Sequence, residues 1–254
     1  MGLFLFQTAL RDFVRPRRIV GWIFVVLGVF VFAKIWATVT SGMTARDAYA
    51  QISAVLVYRL LALAAAIFST AVLTQEIEQK TIVYLLTRPV PRWMLLLSRL
   101  AAAAVVVAAI SILAAVAASL ATFGPRFLSN SLLPRDVVGL LVGALAYCSL
   151  FALISLWFNR AMIICLLFAF GWEVAVSNLP GSAYLSIFKY LETISQRPAL
   201  EGPGPIEFLA GQSSLNLMST STAWTVMVLM ITGCVGVSIY WFTHFEYLPR
   251  EDAE

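Results

Sequence analysis

Long uninterrupted apolar runs constrain this chain more than any other feature of its sequence. Several runs reach or exceed the roughly 20 residues that a helix needs to cross about 30 Å of hydrocarbon. The chain is 61% hydrophobic and 12% charged, whereas soluble domains are roughly 45–50% apolar and about 25% charged. A water-soluble core cannot hide this excess, and the runs lack the period-two alternation of a β-barrel. The sequence therefore predicts an all-α polytopic membrane protein.

Six runs are predicted to be transmembrane helices within a single transmembrane domain. The predicted spans are Ile19–Val39, Ile52–Thr74, Met94–Phe123, Val137–Phe158, Met162–Asn178 and Ala223–Phe245. The domain divides into segments 1–18, 19–74, 75–93, 94–178, 179–222, 223–245 and 246–254. An even number of spans places both termini on one side of the membrane. The arginines that abut the first span make that side the cytoplasm, because basic residues concentrate there.

An amphipathic helix is predicted before the first span, in residues 1–18. Its apolar stripe consists of Leu3, Phe6, Leu10 and Phe13. Its basic residues are Arg11, Arg15, Arg17 and Arg18. Such a helix lies in the membrane interface with its basic side chains toward anionic headgroups, so membrane lipids are expected partners.

A charged island, residues 75–93, separates the second and third apolar runs. From Glu76 to Arg92 it follows the pattern Glu-x-Glu-x-x-Thr-x-x-x-Leu-Leu-x-Arg-Pro-Val-x-Arg. Thr81 to Thr87 are compatible with a short helix. Pro89 removes a backbone donor and disfavours helical geometry at the residue before it, so the chain is expected to bend before the third span.

This ordered pattern resembles the cytoplasmic coupling segment of type-2 ABC transporter permeases, in which six spans follow an amphipathic N-terminal helix. The resemblance implies a membrane-spanning subunit of an exporter of lipid, antimicrobial or other hydrophobic or amphipathic cargo. A separate ATPase would drive it through residues 75–93. The implied ATPase-coupling residues are Glu76, Glu78, Lys80, Thr81, Leu85, Leu86, Arg88, Pro89 and Arg92. The family commonly has glycine where this chain has Lys80.

The resemblance also implies the partners and the location. Two cytoplasmic ABC ATPase subunits would bind ATP and Mg, and a second copy of this chain or a sister permease would complete the assembly in a bacterial inner membrane. The chain has no Walker A pattern, so we expect neither ATP hydrolysis nor a bound cofactor. Its net charge of +4 comes from basic residues that flank apolar runs, which does not indicate a nucleic-acid partner. No metal site is predicted from its cysteines or its single histidine.

Three charged residues within the predicted spans are candidates for a translocation path: Glu173, Lys34 and Arg59. A carboxylate near the bilayer centre costs on the order of 3 kcal/mol, so Glu173 should face protein or a wet cavity. It is either part of the path or a protonated or ion-paired structural group. Lys34 and Arg59 either pair with it or extend to the outer headgroups. If all three line one cavity, a zwitterionic or amphipathic cargo would fit.

The segment between the last two predicted spans, 179–222, contains a second helical pattern. Tyr184, Ile187, Leu191 and Ile194 share one face, and Lys189, Glu192 and Thr193 lie off it. This spacing predicts a short amphipathic helix on the outer surface.

The sequence is also compatible with two other functions. One is a secondary transporter driven by an ion gradient, in which Glu173 is a proton or sodium site. The other is a non-transporting membrane assembly factor that uses the charged island only to dock a partner.

Overall fold

The computed structural model of the protein describes residues 2–13, 16–39, 44–78, 92–158, 160–178, 183–197 and 219–244. The α-helices are α1 (Gly2–Phe13), α2 (Pro16–Val39), α3 (Ala45–Ile52), α4 (Tyr58–Glu78), α5 (Arg92–Phe123), α6 (Leu133–Trp157), α7 (Ala161–Leu166), α8 (Glu173–Asn178), α9 (Ile187–Ile194) and α10 (Thr220–His244). Two π-helical segments, Ser53–Val57 and Leu167–Trp172, join α3 to α4 and α7 to α8. Short 3-10 helices cover Gly124–Ser129 and Ala183–Leu185.

The all-α polytopic fold is confirmed. Among the described residues, five helices are long and apolar enough to cross a membrane: Ile19–Val39, Ala45–Ala71, Trp93–Ser129, Leu133–Trp157 and Thr220–His244. The fifth predicted span is a shorter apolar helix, Ala161–Ser177, near the lower end of the range of roughly 17–25 residues that crosses a bilayer. The second span begins earlier than predicted, because the amphipathic α3 continues into it without a break.

The long helices run alternately between two ends of the bundle. Tyr58 of α4 reaches Asp136 in the first turn of α6, and we call this the distal end. At the other end, which we call proximal, the rings of Trp157 in α6 and Trp241 in α10 lie 5.5 Å apart. Helix α4 therefore runs from the distal to the proximal end and finishes there at Glu78.

The predicted amphipathic N-terminal helix is present as α1. Ala9 and Phe13 are buried, whereas Gln7 and Arg11 are exposed. The helix ends at Phe13, and Pro16 opens α2, where proline is tolerated because the first turn needs no backbone donor. The apolar face packs on protein, since the rings of Phe13 and Phe68 meet edge to face at 5.7 Å.

Small residues let the central helices approach closely. Helix α5 buries a series of alanines: Ala102, Ala103, Ala104, Ala108, Ala114, Ala115 and Ala118. In α6, Gly139 and Gly143 form a G-x-x-x-G pair, a spacing that allows close helix contacts in lipid. A Cβ at Gly143 would lie 2.7 Å from Leu61 of α4 and from Leu191 of α9, so both helices press against this face of α6.

We expect Gly139→Ala to destabilise the protein by about 1–3 kcal/mol, the cost of overpacking a close contact. The added Cβ would collide with Ser195 Oγ and lie 2.7 Å from the Tyr58 hydroxyl. The matched control is Gly236→Ala in α10, where a Cβ meets nothing within 4 Å. There alanine should leave stability unchanged or raise it by up to about 1 kcal/mol. Thermal unfolding in detergent measures both, and equal midpoints would contradict the contact.

Candidate functional site

Helix α9 is a short amphipathic helix that is packed inside the distal end of the bundle, against α6 and α10. Ile187, Leu191 and Ile194 are buried as predicted. Lys189, which the periodicity places off the apolar face, is buried as well, with its side chain only 3% exposed, whereas Tyr184 of the apolar face is exposed. The Lys189 ammonium pairs with the Glu192 carboxylate at 2.9 Å.

The carboxylate of Glu173 holds the N-terminus of α9. Its Oε1 accepts from the Tyr147 hydroxyl at 3.1 Å and from the backbone N–H of Ile187 at 3.0 Å. Its Oε2 accepts from the Ser186 hydroxyl at 2.6 Å and from the N–H of Phe188 at 3.4 Å. The first N–H groups of a helix have no partner within it, and negative charge is favourable there. Glu173, with no exposed surface, is thus a helix-capping group.

The chain leaves α9 through a turn that directs Arg197 back into the bundle. Gln196 has a φ of 48°, the left-handed conformation that often ends helices. The N–H of Gln196 donates to the Thr193 carbonyl at 3.2 Å, and that of Arg197 to the Glu192 carbonyl at 3.3 Å. These two bonds form a Schellman motif, which satisfies the last carbonyls of the helix.

Arg197 and Asp136 form a buried ion pair at the C-terminal end of α9. Arg197 Nε donates to Asp136 Oδ1 at 3.0 Å and Nη2 to Oδ2 at 3.2 Å, the bidentate arrangement that gives strong pairs. Nη2 also contacts the Ser53 hydroxyl. Burial lowers the pKa of the Arg197 guanidinium, but the Asp136 carboxylate, with smaller contributions from Tyr58 and Glu192, brings that pKa above its ordinary value. The arginine therefore stays charged.

Tyr58 connects this ion pair to α9. Its hydroxyl donates to Asp136 Oδ1 at 3.3 Å and shares a 2.7 Å hydrogen bond with Ser195 Oγ. Its ring lies 4.5 Å from the Arg197 guanidinium carbon, within the range of a cation–π contact. We call Asp136, Arg197, Ser53, Tyr58 and Ser195 the distal polar cluster. Helix α9 is thus fastened at both ends to spanning helices.

The fold brings two of the three predicted path residues, Arg59 and Glu173, into the same region of the bundle. Arg59 donates from Nη1 to the Ala169 carbonyl at 3.1 Å and lies 5.6 Å from the Phe188 ring centroid. It therefore approaches the helix start that Glu173 caps. Lys34 is exposed on α2.

Most of the predicted ATPase-coupling residues, Lys80 to Pro89, lie outside the described residues. Glu76 and Glu78 belong to the last turns of α4, and Arg92 begins α5. The charged island therefore connects the proximal ends of α4 and α5.

The predicted basic residues of the N-terminal segment fall in two helices. Arg11 is exposed on α1, Arg17 and Arg18 fall in the first turn of α2, and Arg15 lies outside the described residues.

Sequence reasoning missed the distal polar cluster. Asp136 stands at the start of an apolar run, and Arg197 lies in the segment between the last two predicted spans. A carboxylate at a span end and an arginine in the adjoining segment were the available signals. The G-x-x-x-G pair at Gly139 was the signal for close packing of α9.

A family model described as "ABC-2 family transporter protein" matches residues 14–175, which is more than half of the chain. The chain belongs to the ABC-2 transporter family. A comparison with curated proteins finds no match. The resemblance to type-2 ABC permeases is confirmed. As a family member, this ABC-2 protein is a membrane subunit and not the ATPase, and its family implies partnership with an ABC ATPase. The matched range contains the charged island and Glu173, and it ends before α9.

Proposed function

We propose that this protein is the permease subunit of an ATP-driven exporter, and that its ATPase docks on residues 75–93. Two ATPase subunits bind ATP and Mg, and two permease chains, most simply two copies of this one, form the pathway. The protein itself binds no cofactor. Both termini face the cytoplasm of a bacterial cell, and the complex lies in the inner membrane.

The observation that carries this proposal is the course of α4. This helix continues through the first π-helical segment from α3 and reaches Glu78, next to the proposed docking segment. Its opposite end carries Ser53 and Tyr58 of the distal polar cluster. Between them, Leu61, Ala64, Ala65 and Phe68 are buried. A displacement at the proximal end would therefore be carried along a packed helix to the groups that hold α9.

The mechanism follows from this connection. Closure of the ATPase pair on ATP moves residues 75–93, α4 shifts with them, and the contacts of Tyr58 and Arg197 at the distal end rearrange. Packed helices switch between discrete arrangements, because tight interiors do not deform continuously. The change of access moves a hydrophobic or amphipathic cargo outward.

Of the three predicted path residues, we retain Arg59 as a path residue, because it lines a groove on the side of the bundle. For Glu173 we favour a structural role over a place on the path, since four donors converge on its two oxygens. Lys34 is exposed on α2, which agrees with the expectation that its side chain extends to the headgroups.

Glu78→Arg tests the docking segment. We expect a Walker-containing ATPase to co-purify with the wild-type protein from its native membrane in mild detergent. Recovery should fall by more than about tenfold in Glu78→Arg, as expected when a charge in an interface is reversed. The matched control is Asp47→Arg, the same reversal at an exposed position of the distal end, which should leave recovery unchanged. Failure to recover any ATPase under several mild conditions would contradict the proposal.

A further inference from the structure

A groove with a volume of about 390 Å³ opens on the side of the bundle, between α2 and the two helices interrupted by π-helical segments. Its size falls within the roughly 300–1,000 Å³ of small-molecule sites. Apolar side chains form most of its lining, including Val25, Phe32, Leu56, Leu63 and Phe170. Among the described residues that line it, Arg59 is the one that carries a charge.

Both π-helical segments of the described chain face this groove. The first contributes Leu56, and Arg59 follows it within a turn; the second contributes Phe170. Single π-helical turns inside α-helices are frequent at functional sites. The second segment also positions the cation, because Arg59 donates to its Ala169 carbonyl. The guanidinium is therefore held at the groove by the bundle itself.

The cation lies toward the distal end of the bundle. The residue before it, Tyr58, bonds Asp136 in the first turn of α6. From Arg59 the apolar lining continues to Leu63, one turn deeper along α4. The combination of one cation near the distal interface and an apolar wall below it matches an anionic headgroup with an acyl chain.

We propose that this groove binds an anionic lipid from the bilayer, with its headgroup on Arg59 and an acyl chain along α2. Val25 and Phe32 expose part of their side chains, so the lipid enters sideways and does not cross the polar cluster. The site rests on the proposed function in that Arg59 is also its proposed path residue. Lipid binding itself does not require the ATPase, so the two proposals are tested separately.

Photolabelling of the full chain in lipid nanodiscs tests the charge requirement. The probe is a phosphatidylglycerol with a diazirine on one acyl chain, and a phosphatidylcholine with the same chain is the comparison. We expect phosphatidylglycerol to label peptides that contain residues 25–32 and 55–63, with about a tenfold preference, which corresponds to about 1.4 kcal/mol. Arg59→Gln, which keeps a polar side chain without the charge, should abolish the preference. Equal labelling by both probes in the wild-type protein would overturn the proposal.

A matched pair of glycines tests the location. A Cβ at either Gly28 or Gly21 of α2 meets nothing within 4 Å, so both accept a larger side chain. Gly28 lines the groove and Gly21 does not. We expect Gly28→Leu to remove the labelling of residues 55–63 and Gly21→Leu to retain it.

Two results would overturn the proposed site. One is wild-type labelling of the groove no stronger than that of Leu229, which is 70% exposed on α10; this is also expected if a second copy of the chain covers the groove. The other is labelling that Gly28→Leu leaves intact. If the groove is labelled but no ATPase co-purifies, only the proposed export function fails.

Discussion

Asp136→Ala is expected to destabilise the protein by about 3–5 kcal/mol, because removing one partner of a buried ion pair leaves the other charge uncompensated. Arg197, whose side chain is 3% exposed, would lose both of its bonds to the carboxylate. The Tyr58 hydroxyl would lose the same acceptor. Unfolding in detergent, followed by heating or by titration with denaturant, measures the change in stability.

A double-mutant cycle separates this pair from its surroundings. Asp136→Leu combined with Arg197→Met should recover much of the loss, since a buried pair can often be replaced by apolar groups of similar volume. The control for the loss of an arginine is Arg126→Ala, because Arg126 is exposed in the 3-10 helix after α5 and should change stability by less than about 0.5 kcal/mol. Additive effects of the two single substitutions would contradict a direct interaction.

Glu173→Ala is the second substitution with a large expected effect, a loss of about 3 kcal/mol or more. It leaves two hydroxyl and two backbone donors without their acceptor, and each buried donor left unsatisfied costs about 1–3 kcal/mol. The start of α9 should then loosen first. Hydrogen exchange at the N–H groups of Ile187 and Phe188 would show this directly, as faster exchange than in the wild-type protein.

Graded variants distinguish a structural role of Glu173 from a role in transport. Tyr147→Phe removes one of the four donors and should cost only about 0.5–1.5 kcal/mol. Glu173→Gln keeps one acceptor oxygen but not the charge, so its stability should fall between that of Glu173→Ala and the wild type. If Glu173 only caps α9, transport activity should fall only in proportion to the loss of folded protein. Lower transport by Glu173→Gln at unchanged stability would instead place the carboxylate on the path.

The fastening of α9 at both ends has a consequence for coupling. Its N-terminus is held by α8 through Glu173, and its C-terminal turn is held by α6 through Asp136 and by α4 through Tyr58. A shift of α4 against α6 would change the surroundings of Arg197 and leave those of Glu173 less affected. The two ends of α9 are thus expected to respond differently to ATP.

The sequence by itself determined the helices and the family. Apolar runs of bilayer length admit only helices, and the i, i+3, i+4 spacing before the first span was enough to predict α1, because both signals are local. The ordered residues from Glu76 to Arg92 pointed to the family before any fold was known. The burial of Ile187, Leu191 and Ile194 also follows from local periodicity.

Only the tertiary structure decided what those local patterns contact. Periodicity shows that α9 has an apolar face, but it cannot show that Lys189 is buried as well. Asp136 and Arg197 meet across 61 positions of sequence, and Glu173 finds the start of a helix that follows it in the chain. Such contacts depend on how distant segments pack. The role of a buried charge depends on which group neutralises it, and that partner is set only when the bundle folds.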